Sequence, residues 1–304
     1  MSALHFWVFS YNRAEFLSNC VASIELCAPG RPIHIFDDHS SDPETRAVLA
    51  ELALRHQVVY PTPQAHEQTK HGGLYANMQA AYEQSGADDI VCFLQDDTQL
   101  VRPLSAEDVQ AIETFFASQA KPCLLQPAFM RGCNKKKDFA RTRYDATHRV
   151  YYVDRLSNSA GAFYSDICLF RVRDLRAVGW RFVTREAGNE TQARELLAQM
   201  AYWRDPFAAW LPNVPAFRGK QQTLALRLAQ KRRRSGFYPV KIMSAEDNRC
   251  FLERPHNAVP YAEDFLQLQQ GRVSEPWIYY PLQGSSWFKT LNSIELKWRK
   301  WRGK

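Results

Sequence analysis

Two short apolar runs, each ending in adjacent acids, constrain this chain more than any other feature. Ile33-His34-Ile35-Phe36 runs into Asp37-Asp38-His39-Ser40-Ser41-Asp42, and about sixty residues later Ile90-Val91-Cys92-Phe93-Leu94 runs into Gln95-Asp96-Asp97-Thr98. A β-branched or aromatic run of this length reads as a buried parallel strand that delivers its last residues to the carboxyl edge of a sheet. Open α/β sheets bind their ligands at that edge. Neighbouring carboxylates repel, so they persist there mainly where a cation or a set of donors neutralises them. The second loop therefore reads as a site for a hard metal ion, and the first as a hydrogen-bond acceptor for a ligand.

The surrounding pattern predicts alternating strands and helices. A strand over 4–9 precedes a helix ending near Cys27, with Leu17, Cys20, Val21, Ile24 and Cys27 on one face. Pro29-Gly30 breaks that helix before a strand over 32–37. Asp42-Pro43 starts a helix running to about His56, with Asp as cap and Pro at the first position. A short strand over 57–60 and an irregular loop lead to Gly72-Gly73, a helix over 74–85 and the strand over 90–94. This order means a largely parallel, doubly wound sheet. Further on, Ser105 caps a helix over 106–119, and strands are expected at 122–128, 149–154 and 161–172. A loop entering a helix follows over 182–202, and Trp210-Leu-Pro-Asn-Val-Pro reads as a last strand.

The chain has 304 residues, room for one large α/β domain and an appendage, with a net charge of +7. That charge is unevenly placed. Residues 1–217 hold 22 Lys/Arg against 25 Asp/Glu, whereas residues 218–304 hold 17 against 7. The last third therefore expects an anionic partner. The seven cysteines lack CxxC spacing, no basic n-region or long apolar core opens the chain, and no run approaches a membrane span. A cytoplasmic protein with reduced thiols is expected. GxGxxG, GK[ST] and GxSxG motifs are absent, and His66-Glu67-x-x-x-His71 misses the HExxH zinc spacing by one residue.

Four segments in order, Ser10-Tyr11-Asn12-Arg13, Asp37-Asp38-His39-Ser40-Ser41-Asp42, Gly72-Gly73-Leu74 with Asn77, and Gln95-Asp96-Asp97, closely resemble the family-2-type nucleotide-sugar glycosyltransferases of GT-A fold. The resemblance covers residues 4 to about 102 well, becomes weaker to about 219 and is absent beyond. It implies an α/β, Rossmann-like GT-A domain over 1–219 and a basic, helical C-terminal extension over 220–304. It further implies metal-dependent, inverting transfer of a sugar from a nucleotide diphosphate to a hydroxyl acceptor. Asp97, helped by Asp96, would hold Mn²⁺ or Mg²⁺, which neutralises the leaving diphosphate as a Lewis acid. Gln95 stands where many relatives carry the first Asp of that motif. Asp38 would accept a hydrogen bond from the nucleotide base, with Ser10, Tyr11, Asn12, Arg13, Gly73 and Asn77 completing the nucleotide site. The general base of the family lies in a Glu-Asp pair about ninety residues after the metal motif. Gly188-Asn189-Glu190-Thr191 stands there, which implies Glu190, with Glu186 and Asp205 as runners-up.

In the tail, Trp287, Leu291, Ile294, Trp298 and Trp301 form one helical stripe with Lys289, Lys297, Arg299, Lys300, Arg302 and Lys304 largely off it. Tryptophan on the apolar face and cations around it suit an anionic bilayer surface, and the same stripe would also suit docking on the protein's own core. The membrane reading implies a lipid-linked or glycan acceptor, as in surface-polysaccharide or lipopolysaccharide assembly, at the inner face of a membrane. Nucleic acid is not expected, because no binding signature accompanies the charge. Two other classes share these residues: a nucleotidyltransferase, which usually carries a glycine-rich phosphate loop that Leu4–Arg13 lacks, and a non-catalytic nucleotide-sugar-binding protein, consistent with Gln95.

Overall fold

The computed structural model describes residues 4–61, 73–154, 161–216 and 222–302. Gly72 and the His66–His71 loop lie outside them, as does Lys304. In chain order the strands are β1 (Leu4–Ser10), β2 (Ile33–Asp37), β3 (Gln57–Val59), β4 (Ile90–Gln95), β5 (Thr98–Leu100) and β6 (Leu125–Gln126). They continue with β7 (Thr142–Asp145), β8 (Val150–Val153), β9 (Cys168–Arg171), β10 (Ala201–Trp203) and β11 (Ala208–Trp210). Nine of them form one sheet in the order β3-β2-β1-β4-β9-β6-β10-β8-β7. Its pairings leave β8 and β9 running against the others, so the sheet is mostly parallel.

Strand order reverses between β1 and β4, because β1 continues to β2 on one side while β4 lies on the other. Such a switch point opens a crevice at the carboxyl ends of the strands. The register makes the crevice acidic. Ser10 lies opposite Asp37 and Phe9 opposite Gln95, so the loops after β1, β2 and β4 emerge side by side.

The flanking helices form where their apolar spacing and caps direct. Ala14–Cys27 buries Leu17, Cys20, Val21, Ile24 and Cys27 along one face. Pro43–Leu52 is capped by Asp42, which accepts the Thr45 amide at 3.0 Å. Ala106–Ser118 opens on a Ser105/Asp108 capping box. Helix Leu74–Gln84 starts beside Gly73 and ends before Gly86.

Several expected elements change in extent. The run read as a strand over 161–172 contributes only β9, because the chain turns into the helix Val172–Ala177. The strand expected over 122–128 is reduced to β6. Trp210 ends β11, which pairs antiparallel with β5 in a separate two-stranded sheet rather than closing the central one. Pro212 and Pro215 lack the N–H groups a longer ladder would need.

The basic segment after residue 222 carries the helices Leu224–Arg233, Ala245–Glu253, Ala262–Phe265 and Ser286–Arg302. Val240, Met243, Phe251, Ala262, Leu266 and Trp277 share one apolar cluster with Phe16, Val101, Phe129 and Leu211. Gln99 ties the two parts further, its side chain pairing with both the N–H and the carbonyl of Val240. All seven cysteines are free. Among the described residues no helix is long and apolar enough to cross a membrane.

Candidate active site

At the switch point Phe9, Ser10, Tyr11, Arg13, Asp38, Asn77, Gln95, Asp96 and Asp97 line a cleft of about 500 Å³, and Asp166 and Glu186 close its far wall. Five acids thus share one cavity with few cations, an arrangement whose repulsion calls for an external positive charge.

Asp96 and Asp97 occupy the turn between β4 and β5. Arg13 Nη1 reaches both, at 3.2 Å from Asp96 Oδ1 and 3.0 Å from Asp97 Oδ2, while its Nη2 donates to the Pro215 carbonyl at 3.0 Å. Burial works against the Arg13 charge, yet the two aspartates outweigh it and hold the guanidinium pKa above its ordinary value. The Tyr11 amide donates to Asp96 Oδ2 at 3.4 Å. Burial pushes the Asp96 carboxyl up to about 7, with Asp97 adding to the rise and Arg13 opposing it. Asp97 Oδ1 is different, being buried without a hydrogen-bond partner. Among the described residues no group of three His, Cys, Asp or Glu side chains is arranged to hold a metal. The donors do suit a hard cation that takes one carboxylate oxygen here and the rest of its shell from water and phosphate, as Mg²⁺ and Mn²⁺ do at such sites.

The loop after β2 divides its labour. Asp37 is fully buried and turns back on Ser40, accepting its amide at 2.7 Å and its hydroxyl at 2.6 Å. Asp38 faces the cleft instead, where Oδ2 accepts the Gly73 amide at 2.8 Å and Oδ1 the Asn77 side chain at 3.3 Å. A Cβ on Gly73 would collide with Asp38 Oδ1, which gives glycine a steric reason at that position. Asn12, at φ 50°, lies behind the cleft wall, where its Oδ1 accepts the amides of Ser41 and Asp42, both at 2.8 Å. It pins the first loop to the second. Ser10 Oγ lies buried and unpartnered in the lining.

The structure sets Glu190 outside this lining. Glu190 is 1% exposed and accepts the amides of Phe163 at 3.1 Å and Tyr164 at 2.9 Å, while Arg194 pairs with it at 2.7 Å. Those contacts fasten the 161–167 segment to the helix Glu186–Leu196. Asp205 is likewise absent from the lining, held by Arg149, Arg204 and Arg254. Glu186, at the first turn of that helix, is the acid of the segment that lines the cleft. Its predecessor Arg185 sits at φ 80°, an uncommon conformation for a side chain of its size.

Sequence reasoning passed over Asp166. It lies one residue before Ile167-Cys168, and β9 runs antiparallel to β4 with Cys168 opposite Phe93. An acid preceding an antiparallel strand reaches the same edge as one following a parallel strand. Knowing the direction of β9 would have found it. Tyr75 donates to Asp166 at 3.3 Å, and Gln95 approaches within 3.5 Å. Asp166 Oδ1 has no partner, and burial together with the Glu186 charge pushes this carboxyl up to about 7.

No family model matches the chain, and no curated protein matches it by sequence. Solved structures similar to it include TarS of S. aureus, with a TM-score of 0.49 and 13% identity over 68% of this chain and 36% of that one. This chain thus spans about a third of TarS. The galactosyltransferase LgtC in complex with donor and acceptor sugar analogs has a TM-score of 0.39 at 13% identity, over 65% of this chain and 72% of that one. The mannosyltransferase PcManGT from Pyrobaculum calidifontis, in complex with GDP-Man and Mn²⁺, has a TM-score of 0.46 at 12% identity, over 97% of this chain and 72% of that one. The architecture of the present chain, a doubly wound, mostly parallel α/β sheet with both acid-tipped strands beside its switch point, is read from its own strand order.

Proposed function

We propose that this protein is a glycosyltransferase that moves a sugar from a nucleotide diphosphate to a hydroxyl acceptor with inversion. The observation that carries the reading is the unpartnered Asp97 Oδ1 beside Asp96 and Arg13, in a cleft at the switch point of the sheet. A divalent cation bound through Asp97 would supply Lewis-acid stabilisation of the leaving diphosphate. Arg13 holds both aspartates in place, and Asp38, braced by Gly73 and Asn77, offers its carboxylate to the nucleotide base. Tyr11 and Ser10 form the floor between them.

The base role passes from Glu190 to Glu186. A base must stand within reach of the acceptor proton, and Glu186 lines the cleft whereas Glu190 is committed to backbone amides. In the transfer, the acceptor oxygen bonds to the anomeric carbon as the bond to the diphosphate breaks. The diphosphate leaves with the electron pair, and the acceptor proton passes to Glu186. Burial and the Glu186 charge push the neighbouring Asp166 carboxyl up to about 7.

Residues 1–219 form the catalytic unit in this reading, and residues 220–304 complete its acceptor side. The terminal helix supports a lipid-linked acceptor on an anionic membrane surface, at the cytoplasmic face, in surface-glycan assembly. Its Trp287, Ile294, Trp298 and Trp301 are 67%, 57%, 49% and 76% exposed. The adjacent stripe docks on the helix Leu224–Arg233, through Asn292 on Thr223 at 2.6 Å and Glu295 on the Leu224 amide at 2.7 Å. The tryptophans are therefore left outward with cations around them, which suits anionic lipid.

The test is calorimetric titration of UDP, GDP, CMP and dTDP with Mn²⁺ present, followed by turnover of the matching nucleotide sugars. Binding of one nucleotide diphosphate, weakened in Asp38→Ala, together with Mn²⁺-dependent transfer abolished in Asp97→Ala, is expected. No nucleotide binding, or unchanged turnover in Asp97→Ala, sinks the proposal.

A further inference from the structure

A second pocket of about 310 Å³ opens from the other side of Gln95 and Asp97, which line both cavities. Its wall is built from Arg131, Trp210, Tyr279, Tyr280, Gln283 and Lys289. A narrower recess carrying Glu186, Arg131 and Trp210 lies between the two. Of the sequence motifs only Gln95-Asp96-Asp97 touches this pocket, and four of its ten lining residues come from the basic C-terminal segment.

Arg131 is its organising group. The guanidinium carbon sits 3.9 Å from the Trp210 ring centre and 5.0 Å from that of Tyr279. Stacking of this kind holds the plane of an arginine while leaving its N–H edge available. Here the edge is unsatisfied, for Nε is buried without a partner and no ion pair engages the guanidinium among the described residues. Glu263, whose charge reaches Tyr279, gives its oxygens to the amides of Gly132 at 2.9 Å and Trp277 at 2.7 Å. Gln283 is fixed in the wall, accepting the Tyr279 amide at 2.9 Å. Lys289, exposed on the terminal helix, adds a second cation at the rim.

An oriented guanidinium with an unused donor fork is a receptor for a planar or tetrahedral oxyanion. Aromatic faces beside it suit the apolar face of a sugar ring. We infer that this pocket is the acceptor subsite and that it selects an acceptor sugar bearing an anionic group, a carboxylate or a phosphate, held by Arg131 and Lys289. The inference rests on the glycosyltransferase reading and names the substrate class of that same site. It gives the C-terminal segment a place in the reaction, since Tyr279, Tyr280, Gln283 and Lys289 complete a subsite whose recess leads to Glu186. Asp97 at its edge places the bound sugar next to the donor phosphates.

The experiment titrates the full chain with glucuronate, glucose 6-phosphate and neutral methyl glucoside, and separately with the nucleotide diphosphates. At least one anionic sugar should bind about tenfold or more tightly than methyl glucoside, the gain expected of a charge-assisted, bidentate contact. The tighter of the two identifies carboxylate or phosphate. Arg131→Gln should erase the preference and leave the nucleotide affinity unchanged. Lys289→Ala, at an exposed position that does not threaten the fold, should reduce the preference about two- to fivefold. The inference is overturned by equal binding of charged and neutral sugars, or by a preference that survives in both variants. It is also overturned if Arg131→Gln weakens the nucleotide as much as the sugar, which would assign Arg131 to the donor phosphates. If Arg131→Gln does not fold, an unchanged preference in Lys289→Ala overturns it. Nucleotide binding without any anion preference defeats this inference alone, whereas loss of all nucleotide binding defeats the glycosyltransferase reading.

Discussion

Replacing Glu190 and Glu186 by glutamine, one at a time, separates a structural acid from a catalytic one on the same helix. In Glu190→Gln one carboxylate oxygen becomes an NH₂ group that cannot accept. The amides of Phe163 and Tyr164 both donate to Oε2, so the glutamine oxygen there keeps them without the charge, while the NH₂ group at the Oε1 position breaks the ion pair to Arg194 at 2.7 Å. A hydrogen bond to a buried charge contributes about 1.5–3 kcal/mol. Breaking a buried ion pair costs about 3–5 kcal/mol, less here because the Arg194 side chain is 27% exposed. Together they place the destabilisation at about 2–4 kcal/mol, read as a lower urea midpoint at unchanged slope. At a temperature where both variants are folded, turnover of Glu190→Gln should stay within a few-fold of wild type. Glu186→Gln should instead show a fall in turnover of about 10²–10⁴ with donor affinity preserved. A Glu190→Gln protein as stable as wild type but a hundredfold slower would refute this division and return the base to Glu190.

Three further outcomes are expected. Gly73→Ala drives its methyl into Asp38 Oδ1, so it should cost about 1–3 kcal/mol of stability and weaken nucleotide binding, and wild-type affinity by calorimetry would remove Asp38 from the nucleotide site. Burial alone would raise the Asp108 carboxyl, but the fully buried Arg102, donating at 2.9 and 2.8 Å, holds it below the usual range. A depressed folded pKa gives stability that is present above the unfolded value of about 4 and lost as pH falls below it, so Asp108→Asn should be less stable at pH 7 and show a flatter acid limb. Trp298→Ala/Trp301→Ala should lower binding to anionic vesicles with no change in melting temperature, because both rings are exposed. Equal vesicle binding, or a lower melting temperature, would count against the membrane surface.

Much of the cleft around Asp38, Asp96 and Asp97 is legible in the chain because its chemistry is local. Asp42-Pro43, Ser105 with Asp108, and the apolar stripe of 14–27 specify helices whose starts and buried faces match the structure to within a few residues. The strands over 4–10, 33–37 and 90–95 are continuous apolar runs, and a run that ends in acids places those acids at a sheet edge wherever neighbouring strands lie parallel. The far wall of the cleft and the Arg131 pocket were not legible in the same way. Asp166 precedes its strand, Glu186 differs from Glu190 only by one turn of a helix, and Arg131 belongs to a basic stretch with no motif.

The amino-acid sequence by itself determined the alternating α/β order, the caps and the pair of acid-tipped strands, since periodicity and turn chemistry act over a few residues. Tertiary structure alone decided which side chains meet. The reversed direction of β9 carries Asp166 to the acidic edge, and the register of β1 against β2 and β4 brings Arg13, Asp38 and Asp97 together. The packing of 222–302 on the β5–β11 side sets Tyr279 against Arg131 and Trp210. Strand direction, register and long-range packing are settled by how whole apolar faces bury one another, and no window of neighbouring residues contains that information.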